Sequence, residues 1–153
     1  MTITKQERIM KIVFLDFDGV LHANTHPTNF FEHLDTFKSV VGNTPVVISS
    51  AWRESFPLRE LVEMLDGVNV IGMTPIRDNN TSRCARLFEC IDWLEQNNML
   101  CADWVAVDDQ RSLFEQDSPC PNLILCDEMV GFTKDSSAEK ELKIFVDTPE
   151  HTR

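Results

Sequence analysis

Ile12-Val13-Phe14-Leu15-Asp16-Phe17-Asp18-Gly19 is the stretch on which the fold turns. Four consecutive apolar residues, bounded on the far side by a glycine, predict a strand buried on both faces, as in a parallel sheet covered by helices. The strand runs directly into Asp16, with a second carboxylate at Asp18. Side chains alternate along a strand, so the two carboxylates share a direction only while extended geometry persists. Paired carboxylates at the mouth of a buried strand repel each other and lose hydration, and a cation or a shared proton ordinarily offsets that cost. The competing reading is a plain strand end followed by an Asp-Gly turn. The rest of the chain decides between them.

His22 to Asn29 reads as a loop, and Phe30, Leu34, Phe37 and Val41 then have the spacing of a helix face, stopped by Gly42-Asn43. Thr44 to Ser49 carries a second apolar run and hands over to Ser49-Ser50-Ala51-Trp52-Arg53. Pro57 suits the first turn of a helix whose buried face is Leu58, Leu61, Val62 and Leu65. Val68 to Met73 is a third strand. Cys84, Leu87, Phe88, Ile91 and Leu94 predict a helix capped by Thr81 or Ser82. Trp104 to Val107 is a fourth strand ending on Asp108-Asp109, and Asn122 to Cys126 is a fifth. Ser136 to Val146, capped by Asp135 or Ser136, closes the pattern as a last helix. Strands alternating with helices predict one doubly wound, Rossmann-like α/β domain over residues 1–153, built on a parallel sheet of about five strands with right-handed crossovers. The connections after Asp18 and after the third strand are too short for a separate cap domain.

Composition narrows the function. A chain of 153 residues with net charge -11 is not a general polyanion binder, which needs positive charge spread over a whole face. One local basic pocket remains compatible with that balance. The N-terminus has no apolar signal core and no later stretch is long enough to span a bilayer, so the expectation is a cytoplasmic protein without membrane contact. Five cysteines with no Cys-x-x-Cys pair argue against zinc or a disulfide framework. Cys84 and Cys126, among apolar neighbours, read as small core residues.

In such a sheet ligands bind beyond the carboxyl ends of the strands, where strand order reverses. Asp16 and Asp18, Ser49 and Ser50, then Asp108 and Asp109 all follow strands directly. With the first strand central, they converge on one cleft. Four carboxylates there call for a hard cation, and oxygen ligands suit Mg2+. Arg53, Arg77, Arg83 and Arg111 also follow strands, and the guanidinium fork is a good two-point phosphate ligand. Taken singly, each is as well explained as a solvated loop arginine. Trp93 and Trp104 read as packing against the sheet, whereas Trp52 is a candidate to stack on a base. His22 and His26 read first as ordinary loop histidines, with contact to substrate the alternative.

Asp16-Phe17-Asp18-Gly19-Val20 after a strand, Ser49 after the second, a basic residue on a later helix and Asp108-Asp109 after the fourth together resemble the four motifs of the haloacid dehalogenase-like (HAD) phosphohydrolases. Val47 to Arg53, Gly72-Met73-Thr74-Pro75, Arg86-Leu87-Phe88-Glu89 with Trp93-Leu94, and Gly131-Phe132-Thr133 are similar to a narrower group, the HAD domain of Swiss Army Knife RNA repair proteins. The resemblance implies a phosphatase with Asp16 as nucleophile and metal ligand. It makes Asp18 the general acid and base, with its backbone carbonyl on the metal, and Asp108 and Asp109 the remaining metal ligands. Ser49 would bond the phosphoryl oxygens, and Ser50, Trp52 and Arg53 would line the substrate. The third, basic motif is usually lysine, and this chain has none between Lys38 and Lys134. Arg86 fits the group's pattern, with Arg83 as the alternative and otherwise a substrate contact. The implied substrate is a phosphorylated RNA or DNA end, and the acidic balance implies a partner protein that delivers it. A phosphatase of small metabolites or nucleotides, and a non-catalytic binding module on the same fold, are the rival readings.

Overall fold

The computed structural model describes residues 10–24, 29–77 and 83–149. Strands β1 (Lys11–Leu15), β2 (Val46–Ile48), β3 (Val70–Met73), β4 (Asp103–Asp108) and β5 (Leu123–Leu125) form one parallel sheet in the order β3-β2-β1-β4-β5. Helices α1 (Leu34–Val41), α2 (Leu58–Met64), α3 (Ala85–Gln96) and α4 (Ser137–Asp147) cover it. This is the doubly wound arrangement the alternating pattern predicts.

Alternation along β1 divides the core in two. Val13 and Leu15 join the side of α1, α2 and α4, with Phe37, Leu61 and Leu142, while Ile12 and Phe14 join the side of α3, with Cys90, Trp93 and Leu94. Every residue of β1 is buried, as a central strand covered on both faces requires. Phe14 meets Trp93 and Trp104 edge to face at 6.0 and 5.6 Å, so both indoles pack on the sheet.

Some boundaries move for identifiable reasons. The first helix starts at Leu34 rather than Phe30, because Phe31 takes a left-handed φ of 61° that a right-handed helix cannot include. Phe30 is consequently exposed. The expected cap at Thr81 or Ser82 lies outside the described residues, and α3 itself follows Cys84, another left-handed residue. The buried positions of α3 are Ala85, Glu89, Cys90, Trp93 and Leu94, so Phe88 faces solvent where apolar spacing alone puts it inside. The face is turned by Glu89, a buried charge paired with Arg53 at 2.7 Å. Val62 of α2 is likewise exposed, and Cys84 is only half-buried, whereas Cys126 is a core residue. Ser136 caps α4, its Oγ accepting from the Glu139 N–H.

Register positions the site. Leu15 lies beside Ile48 on one side and Val107 on the other. Asp16, Ser49 and Asp108, each one residue further on, therefore stand together at the carboxyl edge of the sheet, where strand order reverses.

Candidate active site

Asp16 is almost wholly buried, and its N–H donates to the Val107 carbonyl (3.1 Å), which fixes it beside β4. Asp108, the last residue of β4, is fully buried, and its Oδ1 accepts the Gln110 N–H at 2.9 Å. Asp109 follows, half-buried. One carboxylate oxygen from each of Asp16, Asp108 and Asp109 lies within 4.8 Å of the other two.

Three carboxylates at that spacing cannot all keep their charges at low cost. Burial, followed by the charge of Asp108, holds Asp16 well above the ordinary carboxylate range, against the lowering pull of Arg86. Asp109 is pushed up to about 6, first by burial, with a hydrogen bond shared with Asp16 working the other way.

Arg86, the second residue of α3, answers part of this charge. Its Nη1 is 3.0 Å from Asp108 Oδ2 and 3.5 Å from Asp16 Oδ2. Burial disfavours the guanidinium charge, but Asp16 and Asp108 more than offset it, and Arg86 is held above the ordinary arginine range. Arg83, the alternative for the basic position, is exposed ahead of the helix.

Among the described residues, the Arg86 guanidinium alone pairs with the trio, which leaves three carboxylates, when ionised, undercompensated by the two charges that a divalent cation carries. Asp109 Oδ1, moreover, is buried without a hydrogen-bond partner among the described residues, and every candidate ligand is an oxygen, the donor type that magnesium takes. The residues therefore fit a hard cation.

Gly19 permits the close approach of Asp109. Its φ is +79°, and a Cβ added there would stand 2.1 Å from Asp109 Oδ2. Gly19→Ala is expected to displace Asp109 and to cost roughly 1–3 kcal/mol of stability. Thermal denaturation reads the cost, and calorimetric titration reads the weakened affinity for divalent cations.

Ser49 leaves β2 next to Asp16, and its buried hydroxyl has no partner among the described residues. Its neighbours depart from the substrate-binding expectation. Ser50 is wholly buried, its Oγ accepting the Trp52 N–H to cap the short 3₁₀ helix Ala51–Glu54. Arg53 is buried too, its guanidinium donating to the carbonyls of Ser49, Ser50, Thr74 and Pro75 and to Glu89. The strand-end carbonyls need donors, and Arg53 satisfies them instead of a phosphate. Glu89 also accepts the Arg77 N–H at 2.7 Å, so it joins the loop after β3 to α3. Trp52 packs against Phe17, Phe31 and Phe56 rather than standing open to a base. Its indole N–H donates to Asp18 Oδ2 at 3.1 Å.

Asp18 stays outside the carboxylate trio, with its side chain 42% exposed. Its Oδ1 lies 2.7 Å from His22 Nε2, and His22, far from an ordinary loop histidine, is fully buried. His26 lies outside the described residues. Asn24 Nδ2 donates to Asp109 Oδ2 at 3.4 Å. The only sequence signal for His22 is its four-residue distance from Asp18, which becomes a contact because the turn folds back, Gly19 N–H donating to the His22 carbonyl at 2.9 Å.

Residues 12–137 match the family described as the HAD domain in Swiss Army Knife RNA repair proteins. No curated protein and no solved structure gives a significant match.

Proposed function

We propose that this chain, which belongs to the family of HAD domains in Swiss Army Knife RNA repair proteins, is a magnesium-dependent phosphomonoesterase acting on phosphorylated nucleic acid ends, RNA foremost. Membership implies phosphohydrolase chemistry connected with RNA repair. The observation that carries the reading further is the trio Asp16, Asp108 and Asp109 with Arg86 bridging two of them. Buried carboxylates gathered at the carboxyl edge of a parallel sheet, their pKa values displaced by burial and by one another, mark a functional-site candidate.

Asp16, Asp108 and Asp109 would hold the magnesium ion, which when bound supplies positive charge to the phosphate oxygens. Asp16 acts as nucleophile: an Oδ–P bond forms as the bond from phosphorus to the leaving oxygen breaks, and Asp18 gives that oxygen a proton. Asp18 then takes a proton from water, whose oxygen attacks phosphorus and releases Asp16. The partial exposure of Asp18, outside the trio, suits a group that exchanges protons with substrate and water. The Ser49 hydroxyl, without a partner among the described residues, suits a phosphoryl oxygen. Arg86 favours the ionised form of Asp16 that attacks. With a net charge of -11, the chain suits delivery of its substrate by a partner protein. No described helix is long and apolar enough to cross a membrane.

Phosphate release across RNA and DNA ends carrying 3′- or 5′-phosphate, mononucleotides and an aryl phosphate tests the reading. Release that requires magnesium and is fastest on RNA ends supports it. Preference for mononucleotides redirects it to a small-molecule phosphatase, and no release at all favours the binding module. Arg86→Met should lower kcat by about 10²-fold, as loss of one charged contact to the reacting centre does. Steady-state kinetics read that loss, and Arg86→Lys should recover part of it.

A further inference from the structure

We infer that His22 and Trp52 are positioning residues for Asp18, two N–H groups that fix its carboxylate from both oxygens; the inference rests on the phosphomonoesterase reading. Trp52 Nε1 donates to Asp18 Oδ2 at 3.1 Å, and an indole N–H can only donate. His22 Nε2 faces Asp18 Oδ1 at 2.7 Å. The direction of that bond follows from the other ring nitrogen, because Nδ1 accepts the Phe31 N–H at 3.2 Å. A neutral His22 therefore carries its proton on Nε2 and donates it to Asp18. Each carboxylate oxygen keeps a second lone pair, on which the catalytic proton can reside.

The surroundings hold this arrangement rigidly. The His22 ring is enclosed by Phe30, Phe31 and Trp52, with centroids at 5.0, 5.6 and 6.0 Å. The turn that carries it is tied internally, the N–H groups of Val20 and Leu21 both donating to the Phe17 carbonyl. It is anchored from outside by the His33 N–H on the Leu21 carbonyl and the Phe132 N–H on the Val20 carbonyl. Phe31 presents its N–H from a left-handed backbone (φ 61°), a conformation that a bulky residue keeps only where its surroundings impose it. That strain falls on the residue which sets the His22 tautomer.

A half-exposed aspartate would otherwise sample several rotamers, and proton transfer needs one of them. The need depends on the leaving group. A ribose alkoxide must be protonated as it departs, whereas a dinitrophenolate leaves without help. Loss of the clamp should therefore slow the first reaction much more than the second. A merely structural role would slow both alike.

The test compares wild type, His22→Leu, His22→Gln and Trp52→Phe on a ribonucleoside monophosphate and on 2,4-dinitrophenyl phosphate, with thermal melts to establish folding. For His22→Leu, kcat on the nucleotide should fall about 30-fold more than on the aryl phosphate, with KM within about twofold. His22→Gln, whose amide N–H extends to the same place, should recover most of the loss. Trp52→Phe, which keeps the ring and removes only the N–H, should give a smaller split of the same sign. Equal losses on both substrates overturn the positioning role. If His22→Leu does not fold, the ratio in the other two variants decides. Long-range ¹⁵N correlation spectra of the wild-type chain should find a proton on Nε2 of His22 and an accepting Nδ1, and a proton on Nδ1 would overturn the assignment. A wild-type chain inert toward both substrates and toward 3′- and 5′-phosphorylated RNA ends overturns the phosphomonoesterase reading itself, a result that no variant ratio can mimic; if only the RNA ends are turned over, the same comparison is made on them.

Discussion

Replacing Asp16 by Asn is expected to cut phosphate release by about 10⁴-fold or more, and yet to raise the melting temperature of the metal-free protein at neutral pH. The loss follows from chemistry, since a neutral amide neither attacks phosphorus nor forms the acyl phosphate. The gain follows from charge. Burial, and then Asp108, hold the Asp16 carboxyl well above its ordinary range, so the folded state keeps a proton that the unfolded chain has released. Stability from such a group is present in full below the unfolded pKa and is lost as pH rises through the folded one. Asn never ionises and escapes that loss. A rise of about 3 °C at pH 7.5, equivalent to about 1 kcal/mol for a domain of this size, should shrink toward zero near pH 4. Thermal denaturation in the presence of a chelator and single-turnover phosphate release measure the two effects on one preparation. A variant that simply unfolds would lose activity and melt lower, so the opposite signs separate removal of a nucleophile from damage to the fold.

The sheet was legible in the chain because a central parallel strand must be apolar on both faces, and Ile12 to Leu15 are. The carboxylate trio was legible for a topological reason. Residues that directly follow parallel strands share an edge, which brings Asp16 and Asp108 together across a sequence separation that no local pattern spans. What the chain concealed is how polar groups were spent. Arg53 follows a strand as a phosphate ligand should, but the carbonyls it satisfies belong to Ser49, Ser50, Thr74 and Pro75, and their need for a donor appears only in three dimensions. Glu89 reads as solvated on any apolar scale, so its burial against Arg53, and the turn this gives α3, were invisible. That turn puts Phe88 outside while Arg86 reaches Asp16 and Asp108. His22 was hidden for the opposite reason. Four residues from Asp18 is an unremarkable distance until the turn at Gly19 closes it.

Magnesium at about 100 times its dissociation constant is expected to raise the melting temperature by roughly 5–10 °C at pH 7.5 and hardly at all at pH 4.5. Binding to the folded state alone contributes about 2.7 kcal/mol at that excess, and each kcal/mol moves a domain of this size by about 2–4 °C. The pH dependence comes from competition at the ligand atoms. With Asp109 pushed up to about 6 and Asp16 also raised, the folded protein at pH 4.5 carries protons where the ion would bind. Proton-linked stability declines as pH rises through this window, while metal-linked stability grows over the same range. Melting temperatures measured with and without magnesium should therefore converge in acid and separate above about pH 6. Chelation at pH 7.5 should remove the thermal gain together with phosphate release, the latter by about 10³-fold or more. Asp109→Asn should lose most of the magnesium-dependent gain, because it takes a charge from a ligand whose buried Oδ1 has no other partner among the described residues. Equal stabilisation by magnesium at both pH values, unaltered in Asp109→Asn, would mean that the ion binds elsewhere. The trio would then be a proton-sharing cluster compensated by Arg86 alone, and the case for metal-dependent phosphoryl chemistry at this edge of the sheet would fall with it.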